Sequence, residues 1–467
     1  MRSERARPES GGGRQRRGAG RERPEGREEG AQNVVDVSHI AGGPARKAAI
    51  DLALLVEDGR SLDEALLVCR AFNDLDGPDR GFARALASTV LRRRGTIDAI
   101  IGDYLDRPIA KRARRAMHIL RIAAAQLLFL ETPPHAAVST AVDLTRAYKE
   151  TASLSGVVNA ITRKIADAGK SKADALPLRV DTAGWLWRSW ERRYGPATTR
   201  RIAEAHRARA PIDLTIKDPA RLPEFLERTS GRTIGAGSIR LNGEPTISDL
   251  PGYANGDWWV QDAAAALPAK LFGDINGQRV LDLCAAPGGK TMQLAAAGAN
   301  VTAIDQSATR LDRLKANLKR TGLEAEIIEG DVRTYEPATP FDAVLLDAPC
   351  TATGTIRRHP DVMWSKTADQ LAALSELQAK MIDRAAGFVR PGGALVYCVC
   401  SLQPEEGEAQ AEAALQRTGK LRPSEIDAGA LGDFADAVTG HTLRTTPAML
   451  RDKGGCDGFF AARFEIS

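Results

Sequence analysis

The stretch "RVLDLCAAPGGKT", residues 279–291, decides the fold. Val280, Leu281 and Leu283 make a short apolar run, a Pro-Gly-Gly turn follows, and "GKTMQLAAAG" (289–298) opens a helix. A buried strand passing through a glycine turn into a helix is the first half of a βαβ unit. Working downstream, the rhythm repeats. "NVTAID" (300–305) precedes "QSATRLDRLKANLKRTG" (306–322), and "EAEIIEGD" (324–331) and "FDAVLLDAPC" (341–350) follow. "QAKMIDRAAGFVR" (378–390) then leads into "GGALVYCVCS" (392–401). Strands alternating with helices predict an α/β domain built on a doubly wound parallel sheet, with ligands at the carboxyl ends of its strands.

The glycine turn is not a P-loop, because the place of the first glycine of that pattern is taken by Cys284. The strict Gly-x-Gly-x-x-Gly fingerprint is absent as well. What stands is a turn whose Gly288 and Gly289 would let a backbone approach a ligand closely. Acidic residues close the next three strands: Asp305, Asp331 and Asp347. Asp305, about twenty residues past the turn, suits ribose hydroxyls. The shape is that of a nucleoside-type cofactor site.

Working upstream, residues 263–467 carry this domain, and 171–262 read as a linker with a small α+β subdomain. In it, "GWLWRSWERRYG" concentrates Trp185, Trp187 and Trp190 in one stretch suited to bridging domains. Residues 43–170 are all-α by periodicity, with "MHILRIAAAQLLFL" (117–130) apolar all round and therefore central. Ser61 with Glu64 reads as a capping box. Residues 1–42, rich in Gly and Arg, read as a disordered tail.

The 467 residues hold 65 Lys+Arg against 60 Asp+Glu, a mild excess that permits a nucleic-acid partner without demanding one. Basic residues gather in "RRRG" (92–95), "KRARRAMHILR" (111–121) and "WRSWERRYG" (187–195). No apolar run approaches the ~18 residues of a membrane span, and no signal peptide is read. Six cysteines without a framework spacing point to a reducing, cytoplasmic setting. "CVC" has no partner pair to complete a metal site, so no metal is expected.

"DLCAAPGGKT", "DAPC" with "TATGTIRRHPDVMW" (351–364), and "YCVCS" with "QPEEGE" (403–408) resemble the successive motifs of the NOL1/NOP2/Sun family of RNA cytosine carbon-5 methyltransferases. "PPHAAVSTAVDL" (133–144) and "SGVVNAITRKI" (155–165) resemble a NusB-like RNA-binding domain, a pairing found in the family's bacterial branch that acts on 16S rRNA. The resemblance implies a Rossmann-like S-adenosylmethionine-dependent methyltransferase domain behind an all-α NusB-like domain, with 16S rRNA as partner and a monomeric state. It implies that Cys284, Ala285, Ala286, Pro287, Gly288, Gly289 and Lys290 line the methionine and ribose of S-adenosylmethionine. Asp305 would take the ribose, Asp331 the adenine, and Asp347 would lie near both cofactor and base. It also aligns Cys400, not Cys398, with the nucleophile and Cys350 with the cysteine that assists product release. Cys398 then packs, and Val399 replaces the family's usual Thr. Arg357, Arg358 and His359 follow Cys350 and are candidates for phosphate contact. The alternatives are a tRNA cytosine methyltransferase of the same family, or a non-catalytic NusB-like RNA-binding or antitermination protein.

Overall fold

The computed structural model describes residues 35–243 and 245–467, so the expected tail lies outside the described residues up to position 34. The helical region consists of α1 (Gly43–Glu57), α2 (Leu62–Val68), α3 (Arg70–Asn73), α4 (Gly77–Arg92), α5 (Arg94–Gly102), α6 (Arg114–Phe129), α7 (Pro134–Ala147) and α8 (Ser155–Asp174). Helix α6 is buried along most of its length because α1, α4, α5, α7 and α8 all pack against it. The capping box forms at the start of α2: Glu64 N–H donates to Ser61 Oγ at 3.2 Å, and Ser61 N–H to Glu64 Oε2 at 2.9 Å.

Helix α9 (Gly184–Arg207), broken at Gly195 where φ is +76°, leads into a four-stranded antiparallel sheet. That sheet contains β1 (Asp213–Ile216), β2 (Arg232–Ile234), β3 (Ser238–Arg240) and β4 (Trp258–Val260) in the order β2-β3-β1-β4, with α10 (Leu222–Thr229) between β1 and β2. The short α11 (Leu267–Lys270) closes this region.

The large sheet begins at β5 (Arg279–Leu283), which passes into α12 (Gly289–Ala296). Next come β6 (Asn300–Asp305), α13 (Ala308–Thr321), β7 (Glu326–Glu329) and β8 (Phe341–Asp347). Helices α14 (Val362–Ser365) and α15 (Ala368–Phe388) precede β9 (Val389–Val399), and α16 (Glu408–Thr418) follows it. Four further strands complete the sheet: β10 (Leu421–Pro423), β11 (Val438–Thr439), β12 (Thr442–Arg444) and β13 (Phe460–Ile466). The order is β11-β12-β13-β9-β8-β5-β6-β7, with β10 beside β13.

Strands β5 to β9 are parallel to one another, whereas β13 lies antiparallel to β9, so the sheet is mixed rather than wholly parallel. Helices cover both faces, which is why β8 reads as a continuous apolar run. Leu395, Tyr397 and Val399 of β9 enter the core on one face, and Val396 and Cys398 the core on the other. Strand order reverses between β5 and β8, and a crevice opens there at their carboxyl ends. Register places Asp347, the last residue of β8, beside Cys398.

Candidate active site

At the end of β5, Cys284 takes a left-handed conformation (φ +61°) and turns the chain towards α12. The turn is tied to the end of β6. Ala286 N–H donates to Asp305 Oδ2 at 3.1 Å, Ser307 N–H donates to Oδ1 at 3.0 Å, and Arg310 Nη1 lies 3.3 Å from Oδ2. Gly288 has φ +103°, and a Cβ there would meet Leu314 Cδ1 at 2.1 Å. The positive φ and close packing on α13 therefore favour glycine here, in addition to the ligand approach expected of it.

A cleft of about 370 Å³ opens beside this turn, within the usual range for small-molecule sites. It brings together Cys284, Asp305, Asp331, Asp347, Cys350 and Cys400 from the ends of five strands. Ala285, Ala286, Pro287, Gly288 and Gly289 form the turn behind it, and Lys290 lies in the first turn of α12. Lys290 Nζ donates to Asp347 Oδ2 at 2.7 Å. Burial works against its charge most strongly, but the Asp347 charge and hydrogen bond together with the neighbouring Cys398 and Cys400 outweigh it, and the net shift is upward, so Lys290 stays an ammonium. Asp331 is gripped by Arg333, whose Nε donates to Oδ2 at 2.9 Å and helps hold the carboxyl below its usual range.

The two cysteines implicated in chemistry are neighbours, with Cys350 Sγ and Cys400 Sγ 3.5 Å apart. Gly354 N–H donates to Cys400 O at 3.0 Å, which holds the loop after β8 against the end of β9. Cys350 is raised well above an ordinary thiol by its hydrogen bond to Cys400 and by burial. Cys398, fully buried as a packing residue would be, also touches the site: its Sγ lies 3.5 Å from Asp347 Oδ1. Burial and then the Asp347 charge push that thiol up, and burial with Asp347, Asp305 and Asp282 does the same at Cys284. Asp282 was not among the sequence candidates. It is wholly buried under the cleft, accepts the Thr291 hydroxyl at 2.6 Å on Oδ2, and is pushed up to about 7 by burial.

The arginines expected to meet phosphate do something else. Arg357 is 2% exposed, with Nε 2.8 Å from Asp457 Oδ1 and Nη2 3.4 Å from Asp262 Oδ2. Arg358 donates from Nε to Asp457 Oδ2 at 3.0 Å and also pairs with Asp262. Arg92 of the helical region donates to Arg357 O at 2.9 Å, and Trp364 Nε1 to Leu91 O at 2.7 Å. His359 faces Asp63 at 3.4 Å. The segment 353–364 is thus a fastening between the helical region and the sheet. Several arginines of the basic runs are also paired: Arg93 with Asp181, Arg114 with Asp58, Arg115 with Asp51, Arg121 with Asp98 and Arg193 with Glu408. Trp190, buried in α9, donates to Gln403 Oε1 at 2.8 Å, three residues past Cys400. Among the described residues, no group of three or more His, Cys, Asp or Glu is arranged to hold a metal ion. No helix among them is long and apolar enough to cross a membrane.

Comparison with known proteins agrees with this geometry. The family described as 16S rRNA methyltransferase RsmB/F matches residues 270–465, and the NusB family matches 44–167. A ribosomal RNA small subunit methyltransferase B from Xanthomonas campestris pv. campestris is 36% identical over 443 residues, covering 90% of this chain and 97% of that protein. The crystal structure of PH0851 shares the fold, with a TM-score of 0.72 at 22% identity, over 91% of this chain and 99% of that one. A methyltransferase homolog protein from Pyrococcus horikoshii superposes with a TM-score of 0.51 at 26% identity, over 62% of this chain and 96% of that one. With a strand-end cleft, a matching helical domain and full-length relatives, the chain belongs to the 16S rRNA methyltransferase RsmB/F family of S-adenosylmethionine-dependent enzymes.

Proposed function

We propose that the protein methylates carbon 5 of a cytosine in small-subunit ribosomal RNA, with Cys400 as covalent catalyst and Cys350 as the group that assists release. The observation that carries this reading is the pair of sulfurs 3.5 Å apart at the mouth of a cleft edged by Asp305, Asp331 and Asp347. Carbon 5 of cytosine is a poor nucleophile. Addition of the Cys400 thiolate at carbon 6 breaks the ring's conjugation and makes carbon 5 enamine-like, which splits one hard step into two. The Asp347 carboxylate accepts a hydrogen bond from the ring protonated at N3 and stabilises the adduct. Once carbon 5 carries the methyl group, its proton must leave as the bond from carbon 6 to Cys400 breaks. Cys350, 3.5 Å from Cys400, gives its thiol proton to the departing Cys400 sulfur and takes up the carbon-5 proton in its place.

The cleft fits the donor that its family uses. Asp305 Oδ1 accepts only Ser307 N–H among the described residues and keeps a lone pair for a ribose hydroxyl, Asp331 stands at the next strand end for the adenine, and the carboxylates around Cys284 favour a cationic sulfur. S-adenosylmethionine, when bound, supplies an electrophilic methyl group. The target base must be unstacked to enter, which favours a loop or single-stranded cytosine. Ribosomal RNA as substrate rests on the full-length relatives and the NusB match, and a substrate of that kind supports a cytoplasmic setting. Bisulfite sequencing of small-subunit rRNA from a strain lacking the gene tests the reading. One cytosine should lose its protection and regain it with the wild-type gene but not with Cys400→Ala. An unchanged rRNA pattern, or a lost mark in tRNA instead, would overturn it.

A further inference from the structure

Behind the two sulfurs lies a side chain with no part in the scheme above. Glu406 is wholly buried, as are Thr351, Gln378 and Ser401 around it. Its Oε1 accepts Thr351 N–H at 2.8 Å and Gln378 Nε2 at 3.1 Å. Its Oε2 accepts the hydroxyls of Thr351 and Ser401, each at 2.5 Å. Thr351 directly follows Cys350, and Ser401 directly follows Cys400. The neighbouring contacts reinforce the junction: Ser401 Oγ lies 3.1 Å from Thr351 Oγ1 and 3.2 Å from Thr353 Oγ1, and Gln378 Nε2 also donates to Pro349 O at 2.9 Å.

Four donors converge on one side chain, and only an acceptor-only group satisfies them all. An amide at this position would turn its own N–H bonds against one pair of donors. A buried carboxylate could serve stability alone. Yet these donors come from the residues that carry the two cysteines and from the helix that props the Cys350 loop. We infer that Glu406 is a positioning residue for the reaction: its carboxylate ties the peptide after Cys350 to the peptide after Cys400 and so fixes the distance between the two sulfurs. This rests on the roles proposed for those cysteines. Electrostatics point the same way. After the hydrogen bond to Cys400 and burial, the charges of Cys400 and Glu406 also raise the Cys350 thiol, so the clamp keeps Cys350 in its protonated form while Cys400 attacks.

The test is Glu406→Gln in the full chain, assayed on unmodified small-subunit rRNA with S-adenosylmethionine. Turnover should fall about ten- to hundred-fold in kcat with KM for both substrates nearly unchanged, the mark of lost positioning. Removing the negative charge should make Cys350 easier to ionise, so its alkylation by iodoacetamide should quicken about three-fold or more. The buried Cys398 and Cys456 serve as internal controls, read by mass spectrometry, and should not change. Thr351→Val keeps the backbone bond to Oε1 and loses only the hydroxyl. It should reduce kcat in the same direction by a smaller factor, and it carries the test if the glutamine variant does not fold. A wild-type kcat in both variants would overturn the inference. So would quickened alkylation of Cys398 and Cys456 along with Cys350, since that reports general loosening. If Cys400→Ala remains active, the catalytic reading fails, while the selective alkylation pattern still reports the clamp.

Discussion

Cys350 and the pair Arg357–Arg358 belong to one loop, yet its two ends work in opposite directions. At the first end the side chain enters a cleft and stands 3.5 Å from a second sulfur. At the other end, two guanidinium groups turn into the protein and pair with Asp262 and Asp457, while Arg92 reaches across from the helical region to hold Arg357 O. One end keeps unsatisfied chemistry facing outwards, and the other consumes its charge internally. The comparison teaches that a reactive group is recognised by what it leaves open, whereas a charged group says nothing until its partners are known. It also means that the helical region and the loop bearing Cys350 are fastened by the same short segment.

The largest effect should come from the open end. Cys400→Ser or Cys400→Ala should abolish methyl transfer to rRNA, whereas Cys350→Ala should permit attack but not release. The second variant should therefore accumulate a covalent protein–RNA adduct visible on denaturing gels, and the first should not. Equal activity of both variants with wild type would remove the distinction between the loop's two ends. At the fastened end, Arg358→Met leaves Asp457 and Asp262 short of a partner in a buried cluster. Breaking such a pair costs about 3–5 kcal/mol, measurable by chemical denaturation. Binding of rRNA to the folded fraction should keep the wild-type salt dependence. A phosphate contact would instead flatten the slope of log K against log salt by about 0.7.

How much of this was legible in the chain follows the same division. The strand-end residues could be placed because a strand's end fixes where its last side chain points, so "FDAVLLDAPC" and "YCVCS" locate their residues without knowledge of the rest. The arginine partners could not, since Asp262 and Asp457 lie about a hundred residues from Arg357 in opposite directions and nothing local announces them. Gly288 was legible as a required glycine, but its packing against Leu314 was not, because Leu314 belongs to the next helix. Strands β11 and β12, of two and three residues, are too short to show any period, and β13, buried along most of its seven residues, lacks a clear alternation, so the antiparallel edge of the sheet went unseen. The role inferred for Glu406 depends on burial and on four donors from three segments, and "QPEEGE" carries no trace of either.

Asp282 gives a smaller test of how the cleft stores charge. Its Oδ1 is buried with no hydrogen-bond partner among the described residues, and burial, reinforced by the Asp347 charge, pushes the carboxyl from 3.8 to about 7. The folded state therefore holds this proton more tightly than the unfolded chain does. Its contribution to stability is greatest at low pH and is lost as pH rises from the unfolded value towards the folded one. Asp282→Asn removes the titration and keeps an acceptor for Thr291. At about pH 8 the variant should be more stable than wild type by roughly 2–4 kcal/mol, with the gap closing towards about pH 5. Denaturation midpoints at three pH values measure it, and a pH-independent gap would show that Asp282 is satisfied by a partner.

The smallest expected effect sharpens the contrast most, because it concerns two cysteines on one strand. Cys398 and Cys400 both face the cleft side of β9, but Cys398 is sealed, with its thiol held neutral 3.5 Å from Asp347 Oδ1. Cys398→Ala removes one sulfur from a packed site and one weak donor from a carboxylate that keeps its 2.7 Å bond to Lys290. The loss should be about 1 kcal/mol of stability, with kcat within about three-fold of wild type. A silent Cys398→Ala beside a dead Cys400→Ala shows that exposure to the cleft, and not mere presence on the strand, makes a thiol a nucleophile. A dead Cys398→Ala beside an active Cys400→Ala would exchange their roles. It would also require Asp347 to act as the base that frees the Cys398 thiol from its proton.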